Sequence, residues 1–394
     1  MIYYFFMLRI YFALVYFVQA ALSLTGIAET LYMSKTVGLS VAQITTLGGL
    51  VILPWTVKPL YGFLSDLLPL WKMRRKPYAI LGSGMAILGW WWIALAPANY
   101  WYVLIGFVIQ SLGLAITDVI CDGLVLDNST NENAGKLQSL CWGANAIGGI
   151  IGSLLAGFLA SGLAYRQVFA LAAFLPMLTL LLAWNIEDQK VEKKVLAKEM
   201  FGTYWQALKS KYIWVVMAFL YLWNISPTFG KPFYFYMKEH LLFSDPFIGI
   251  LGSVGSLGSL FGAWIYGVWL DKYPYKKVLW WTVLAGAAFG LLTFLIKGQM
   301  SALVINFIQG AVFFIGFIPV LKLAARTCPA CVGASMFALF ASIINMGKSH
   351  SAFLGGWLYE PLGLWGLVWT AVLTSLLALP LIPFLQEEKE LNVQ

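Results

Sequence analysis

The sequence predicts an all-α membrane protein with twelve transmembrane helices in two pseudo-symmetric six-helix halves. Three observations lead there. The 394-residue chain is 61% hydrophobic and only 11% charged, against about 25% charge in an average soluble domain. Its charged residues gather in a few short stretches between long apolar runs, and its two halves repeat one another. This composition excludes disorder, a disulfide scaffold and a soluble core. The net charge of +8 reads as an orientation signal rather than a nucleic-acid-binding face.

A bilayer crossing needs roughly 20 mostly apolar residues. The charged and Pro/Gly-rich punctuation leaves twelve such runs, starting near Leu8, Val41, Pro77, Tyr100, Lys136, Arg166, Tyr212, Pro246, Val278, Ala302, Val332 and Leu362. The first has no basic leader and stays apolar beyond a typical cleavage position, so it reads as a retained helix and not a signal peptide. Lys and Arg in the short loops give the direction. They collect after the even-numbered runs, at Lys72, Arg74, Arg75, Lys76, Lys136, the lysines between 190 and 211, Lys272, Lys276, Lys277 and Arg326. The opposite loops hold Lys35, Arg166, Lys238 and Lys297. Both termini are therefore expected in the cytoplasm, and the short loops favour a bacterial cytoplasmic (inner) membrane.

The repeat is direct. Shifted by 204 positions, Gly26, Tyr32, Met33, Ser40, Ile44, Leu47 and Gly48 fall on Gly230, Tyr236, Met237, Ser244, Ile248, Leu251 and Gly252. After one inserted residue, Tyr61-Gly62-x-x-x-Asp66 falls on Tyr266-Gly267-x-x-x-Asp271. The expected organisation is a six-helix bundle over residues 1–186, a charged cytoplasmic linker over 187–210 and a second bundle over 211–394. Parallel halves joined by a central linker describe the major facilitator architecture.

The junction after the second run, Gly62-x-x-x-Asp66 followed by Arg74-Arg75-Lys76, is echoed by Gly267-x-x-x-Asp271 and Lys276-Lys277. A glycine lets helices approach, and the carboxylate can pair with a base or cap a helix N-terminus. Gly62, Asp66, Arg74, Arg75, Gly267 and Asp271 are thus expected to form a cytoplasmic gate. The basic run sits four residues later than in the usual facilitator motif.

The run Pro54-Trp55-x-x-Lys58-Pro59-Leu60-Tyr61-Gly62-x-x-Ser65-Asp66-x-x-Pro69, then Arg74-Arg75-x-x-Tyr78, resembles the folate-biopterin transporter family of the major facilitator superfamily. Tyr16-Phe17-Val18-Gln19, Asp118-Val119-x-x-Asp122 and Gly135-x-x-Gln138-Ser139 with Trp142 are similar to that family too. The likeness is concentrated over residues 10 to 160. It implies secondary active transport of folates or pterins, commonly linked to protons.

Ionisable residues inside spans cost roughly 2.5–3.5 kcal/mol at the bilayer centre, so they mark water or a partner. Runs 1, 4, 7 and 10, which line the cavity in this architecture, carry Glu29; Asp118 and Asp122; Lys231; and Lys322. Asp118 and Asp122 are four apart on one helix face, where like charges oppose double ionisation, which suits a reversible proton site. Glu29, Lys231 and Lys348 lie toward the outside, whereas Lys58, Asp118, Asp122, Lys322 and Arg326 lie toward the cytoplasm. Two alternating charge gates are expected, with Glu29 and Lys231 as the outer pair. Trp142 and Asn145, with Trp223 and Asn224, offer an aromatic face and amide groups to a flat cargo.

Other signals point away from chemistry. Cys328-x-x-Cys331 is expected as reduced thiols, Asn128-Ser129-Thr130 as an unmodified cytoplasmic sequon and His350 as a packed neutral ring. The sequence has no nucleotide-binding loop, nucleophile motif or metal-ligand cluster, so no enzyme activity, cofactor or metal is expected. The expected partners are a small-molecule substrate, protons and the lipid bilayer, with no nucleic acid, and the expected state is a monomer. The reading is a carrier of folate, pterin or a related organic anion working by proton-coupled alternating access. The alternatives are a carrier of a nucleoside-like compound or cell-wall fragment, and a non-transporting sensor or scaffold.

Overall fold

Apolar runs in hydrocarbon can satisfy their backbone groups only internally, and the chain answers with helices almost throughout. The computed structural model describes residues 2–129, 134–186, 188, 197–225, 230–328 and 333–385. The first crossing comprises α1 (Ile2–Ala21) and α2 (Gly26–Leu31), joined by a tighter 3₁₀ turn at Leu22–Thr25. The second is α3 (Val41–Thr56) with α4 (Lys58–Leu67), followed by α5 (Lys76–Leu95), α6 (Tyr100–Asp127) and α7 (Ala134–Gly162). The sixth is α8 (Tyr165–Ala172) with α9 (Phe174–Asn185), and the short α10 (Ala197–Leu208) follows it. Next come α11 (Lys211–Asn224) and α12 (Gly230–Glu239), then α13 (Asp245–Ile265), α14 (Tyr275–Gly290), α15 (Gln299–Arg326) and α16 (Gly333–Leu376).

Among the described residues, ten segments are long and apolar enough to cross a bilayer. The last of these, Met336–Phe384, is two crossings that meet at Gly363, where φ is +60°, a conformation glycine adopts without penalty. The two pieces α11 and α12 fall below that length singly and together make the seventh crossing, which brings the crossings to the predicted twelve. The predicted starts lie within one helical turn of the observed ones, apart from the first, which begins at Ile2. Most of the linker predicted over 187–210 lies outside the described residues.

The sequence repeat is also a backbone repeat. At the end of α2 the Val37 amide donates to the Tyr32 carbonyl and the Leu39 amide to the Met33 carbonyl, each at 3.0 Å. At the end of α12, 204 positions on, Leu241 donates to Tyr236 at 3.3 Å and Phe243 to Met237 at 3.0 Å. Between each pair stands a residue of positive φ, Gly38 at 79° and Leu242 at 54°. Both turns lead into serine caps, with the Gln43 amide donating to Ser40 Oγ and the Phe247 amide to Ser244 Oγ. The 3₁₀ turn of the first crossing corresponds in the repeat to residues 226–229, which lie outside the described residues.

Contacts divide the chain into two units, one of Met1–Leu39 with Leu50–Met200 and one of Ser40–Gly49 with Phe201–Gln394. The first packs Tyr11, Phe12, Ala79, Ile120 and Cys141 in its core. The second packs Phe219, Leu279, Val320, Met336 and Phe340. Small residues decide how closely the helices approach. A Cβ on Gly148 would collide with the Phe17 carbonyl of α1, and one on Gly258 with the Phe307 carbonyl of α15. Gly62 and Gly267 differ, since a Cβ would meet only Val119 at 3.8 Å in the first case and nothing within 4 Å in the second.

Candidate functional site

The site in the first unit begins with a broken helix. Pro54 sits inside α3, Val57 leaves helical geometry at φ −115°, and α4 restarts at Lys58 with Pro59 in its first turn. Proline at position 59 has no amide to give to the preceding turn, so the helix opens there. The Tyr61 hydroxyl donates to the Pro54 carbonyl at 2.8 Å, replacing a bond the break removes. The break aims the Lys58 side chain at α6 and leaves its ammonium 4.9 Å from the Trp55 ring centroid. The Trp55 indole N–H in turn donates to Ser111 Oγ of α6 at 3.0 Å.

Lys58 Nζ pairs with Asp118 Oδ2, and both residues are buried, at 8% and 5% exposure. The other oxygen, Oδ1, accepts from Gln19 Nε2 of α1 at 2.8 Å. One turn along α6, Asp122 Oδ1 accepts from the Tyr16 hydroxyl at 2.6 Å. Tyr16 meets the Trp142 ring of α7 edge to face at 5.8 Å, and its carbonyl accepts from Asn145 Nδ2 at 3.2 Å. Within one unit, therefore, Lys58, Asp118, Asp122, Trp142 and Asn145 converge around Tyr16 and Gln19. One base stands among two acids, with a hydroxyl and an amide supplying the remaining hydrogen bonds.

Below this cluster in the sequence lies the junction of α4 and α5. Arg75 is buried at 7% exposure and gathers three side chains. Its Nη1 donates to Ser65 Oγ at 2.8 Å, Nε donates to Asp127 Oδ2 at 3.1 Å, and Nη2 lies 3.3 Å from Asp66 Oδ1. The Asp188 carboxylate accepts from the backbone amides of Arg75 and Lys76 at 2.6 and 2.9 Å, capping the start of α5. Arg74 is partly exposed beside it. In the second unit Asp271 Oδ1 pairs with Lys322 Nζ of α15 at 2.7 Å, and both side chains are partly exposed.

The other sequence-predicted residues stand elsewhere. Glu29, in α2 of the first unit, pairs with the Thr25 hydroxyl of the 3₁₀ turn. Lys231 lies in the first turn of α12, where Pro232 is tolerated because the first-turn amides need no intrahelical acceptor. Lys348 of α16 is exposed and places its ammonium 5.9 Å from the Phe317 ring. His350 Nδ1 shares a 2.7 Å hydrogen bond with the Tyr221 hydroxyl. Burial pushes the Cys328 thiol up to about 12, so it is protonated at neutral pH; Cys331 lies outside the described residues. Sequence reasoning gave no site role to Tyr16, Gln19, Trp55, Asp127 or Asp188. Three of these, Tyr16, Gln19 and Trp55, stand inside the family-like stretches, which was the available signal.

A model of the BT1 family matches residues 20–392. The chain belongs to the BT1 family. The likeness concentrated over residues 10 to 160 in the motifs thus extends along nearly the whole chain. A folate-biopterin transporter of Synechocystis sp. is 32% identical over 392 residues, covering 94% of this chain and 79% of the relative. Probable folate-biopterin transporter 4 of Arabidopsis thaliana is 26% identical, covering 89% of this chain and 88% of its own. The crystal structure of a D-xylose-proton symporter superposes with a TM-score of 0.75 at 15% identity, over 96% of this chain and 97% of that one. At that identity the likeness shows the fold, which is of the major facilitator type. The BT1 chain is an integral membrane transporter of the folate-biopterin transporter family.

Proposed function

We propose that this protein moves folate, pterin or a related organic anion across the membrane by alternating access coupled to protons. The names of its relatives support the cargo class. The observation that carries the coupling is the cluster of Lys58, Asp118 and Asp122 inside the second and fourth crossings. A net charge within the bilayer is costly. With one base for two acids, the group is neutral when a single carboxyl carries a proton. Asp118 is held by Lys58 and Gln19, whereas Asp122 has the Tyr16 hydroxyl, which can donate to the carboxylate or accept from the acid. Asp122 is therefore the proton carrier and Lys58–Asp118 the fixed counter-pair.

The gates follow the same logic. Asp66 and Arg75 in the first unit and Asp271 in the second act at the cytoplasmic side, while Glu29 and Lys231 associate at the outside in the alternate state. Both termini face the cytoplasm of the host cell, and the unit of transport is the monomer. The test is uptake of labelled folate and of labelled pterin into proteoliposomes, with and without an inward proton gradient. Gradient-driven accumulation that disappears in Asp122→Asn is expected. Absence of uptake of both compounds by folded, inserted protein would move the cargo to another class. Exchange of charges between Glu29 and Lys231 is expected to restore part of the transport lost in either single reversal; no restoration would exclude that pair.

A further inference from the structure

The second unit holds a separate group that the proton cluster does not use. Trp223 of α11 lies against α15, where a Cβ on Gly316 would come within 3.3 Å of its ring. Its centroid stands 5.8 Å from Phe313 and 6.2 Å from Phe317, at interplanar angles of 36° and 29°. Phe313 and Phe317, one turn apart on α15, are nearly parallel at 13° with centroids 5.7 Å apart. The rings therefore share an orientation rather than meeting edge to face. Phe317 is 7% exposed and Phe313 is 50% exposed, so the stack is closed at one end and open at the other. Lys348 of α16 brings its ammonium over Phe317 at 5.9 Å and is itself exposed.

Position decides what this exposure means. Lys348 lies well inside the span Met336–Phe384, before its break at Gly363. An ammonium in that part of a crossing does not face acyl chains; it faces water or a charged partner. The open Phe313 ring and the exposed Lys348 ammonium thus flank one aromatic group at its open end. Aligned rings with one free face can take a further flat ring by offset stacking, and an ammonium beside them donates to a carboxylate.

We infer that Trp223, Phe313, Phe317 and Lys348 form a binding subsite for a planar aromatic ring bearing an anionic group. This deepens the cargo reading above and rests on it for the identity of the physiological ligand, though not for the chemistry of the subsite. Phe313 and Trp223 supply the stacking surface, and the Lys348 ammonium beside Phe317 meets the acid group.

The experiment is equilibrium binding to the full chain in nanodiscs. The probes are labelled folate, an uncharged pterin, and the simple pair 1-naphthoate and 1-naphthalenemethanol. Phe313→Ala is expected to weaken all four ligands by up to about tenfold, the scale of one aromatic contact. Lys348→Ala is expected to weaken folate and naphthoate by about tenfold or more, as for a lost charge-assisted bond, and to leave the two neutral ligands within twofold. Lys348→Arg restores part of the anion preference. The naphthalene pair separates two failures. If wild-type protein prefers naphthoate through Lys348 but binds neither folate nor pterin, the cargo reading fails and the subsite stands. If Lys348→Ala, shown to be folded by gel filtration and circular dichroism, keeps the anion preference of wild type, or loses neutral and anionic ligands alike, the subsite is wrong.

Discussion

The two units handle charge in opposite ways. In the first, Lys58 pairs with Asp118, Gln19 donates to Asp118 and Tyr16 to Asp122, and Arg75 is enclosed by Ser65, Asp66 and Asp127. In the second, Lys322 and Asp271 form a partly exposed pair, and Lys348 lies beside aromatic rings. The two repeated halves thus differ in how they place their charges. Buried, mutually satisfied charges suit a proton that must be held without a net charge in the bilayer, whereas exposed charge beside aromatic rings suits a cargo that arrives and leaves.

That contrast breaks most readily at Lys58. Removing one partner of a buried ion pair costs about 3–5 kcal/mol because the other charge stays unpaired. Lys58→Ala or Asp118→Asn alone should therefore reduce the midpoint of thermal unfolding strongly in detergent, and the double variant should recover much of the loss. Equal losses in single and double variants would show that the pair is not a unit. The gate residues come next. Arg75→Ala removes charge-assisted bonds from a buried group and should cost roughly 1.5–3 kcal/mol, whereas Lys322→Ala touches an exposed pair of the kind worth about 0.2–1 kcal/mol. Similar midpoints for the two variants would erase the distinction between the units. A change smaller than that at Arg75 is expected at the kink: Tyr61→Phe leaves the Pro54 carbonyl without its hydroxyl partner, at about 1 kcal/mol. A midpoint identical to wild type would mean that water replaces that hydroxyl.

The crossings were legible because charged residues, Gly and Pro interrupt otherwise continuous apolar runs; Val41, Tyr100 and the break near Leu362 were readable from that punctuation. The repeat was legible too, down to the match of Ser40 with Ser244, although the capping bonds these serines make were not. The interior faces were not. A helix that is apolar all round carries no stripe to say which side faces its neighbours, so nothing in the spacing brings Gln19 to Asp118 or Tyr16 to Asp122. Those contacts depend on how α1 is rotated against α6. The partner of Asp271 was hidden for the same reason: Lys276 and Lys277 lie nearer in sequence, while Lys322 reaches it from α15. With 27 Phe, 19 Tyr and 18 Trp in the chain, composition could not single out the aligned rings of Trp223, Phe313 and Phe317. Burial of Lys58 was only partly legible, since Pro54 and Pro59 announce a break but not the direction in which the lysine leaves it.

The division of labour is tested most directly by following protons and cargo together. Proteoliposomes loaded with a trapped pH indicator receive labelled cargo in the absence of any imposed gradient, with wild-type protein and with Asp122→Asn. Wild type is expected to acidify the lumen as cargo enters. The variant should exchange cargo across the membrane with no acidification. Acidification by Asp122→Asn equal to that of wild type would contradict the assignment of the proton to the first unit.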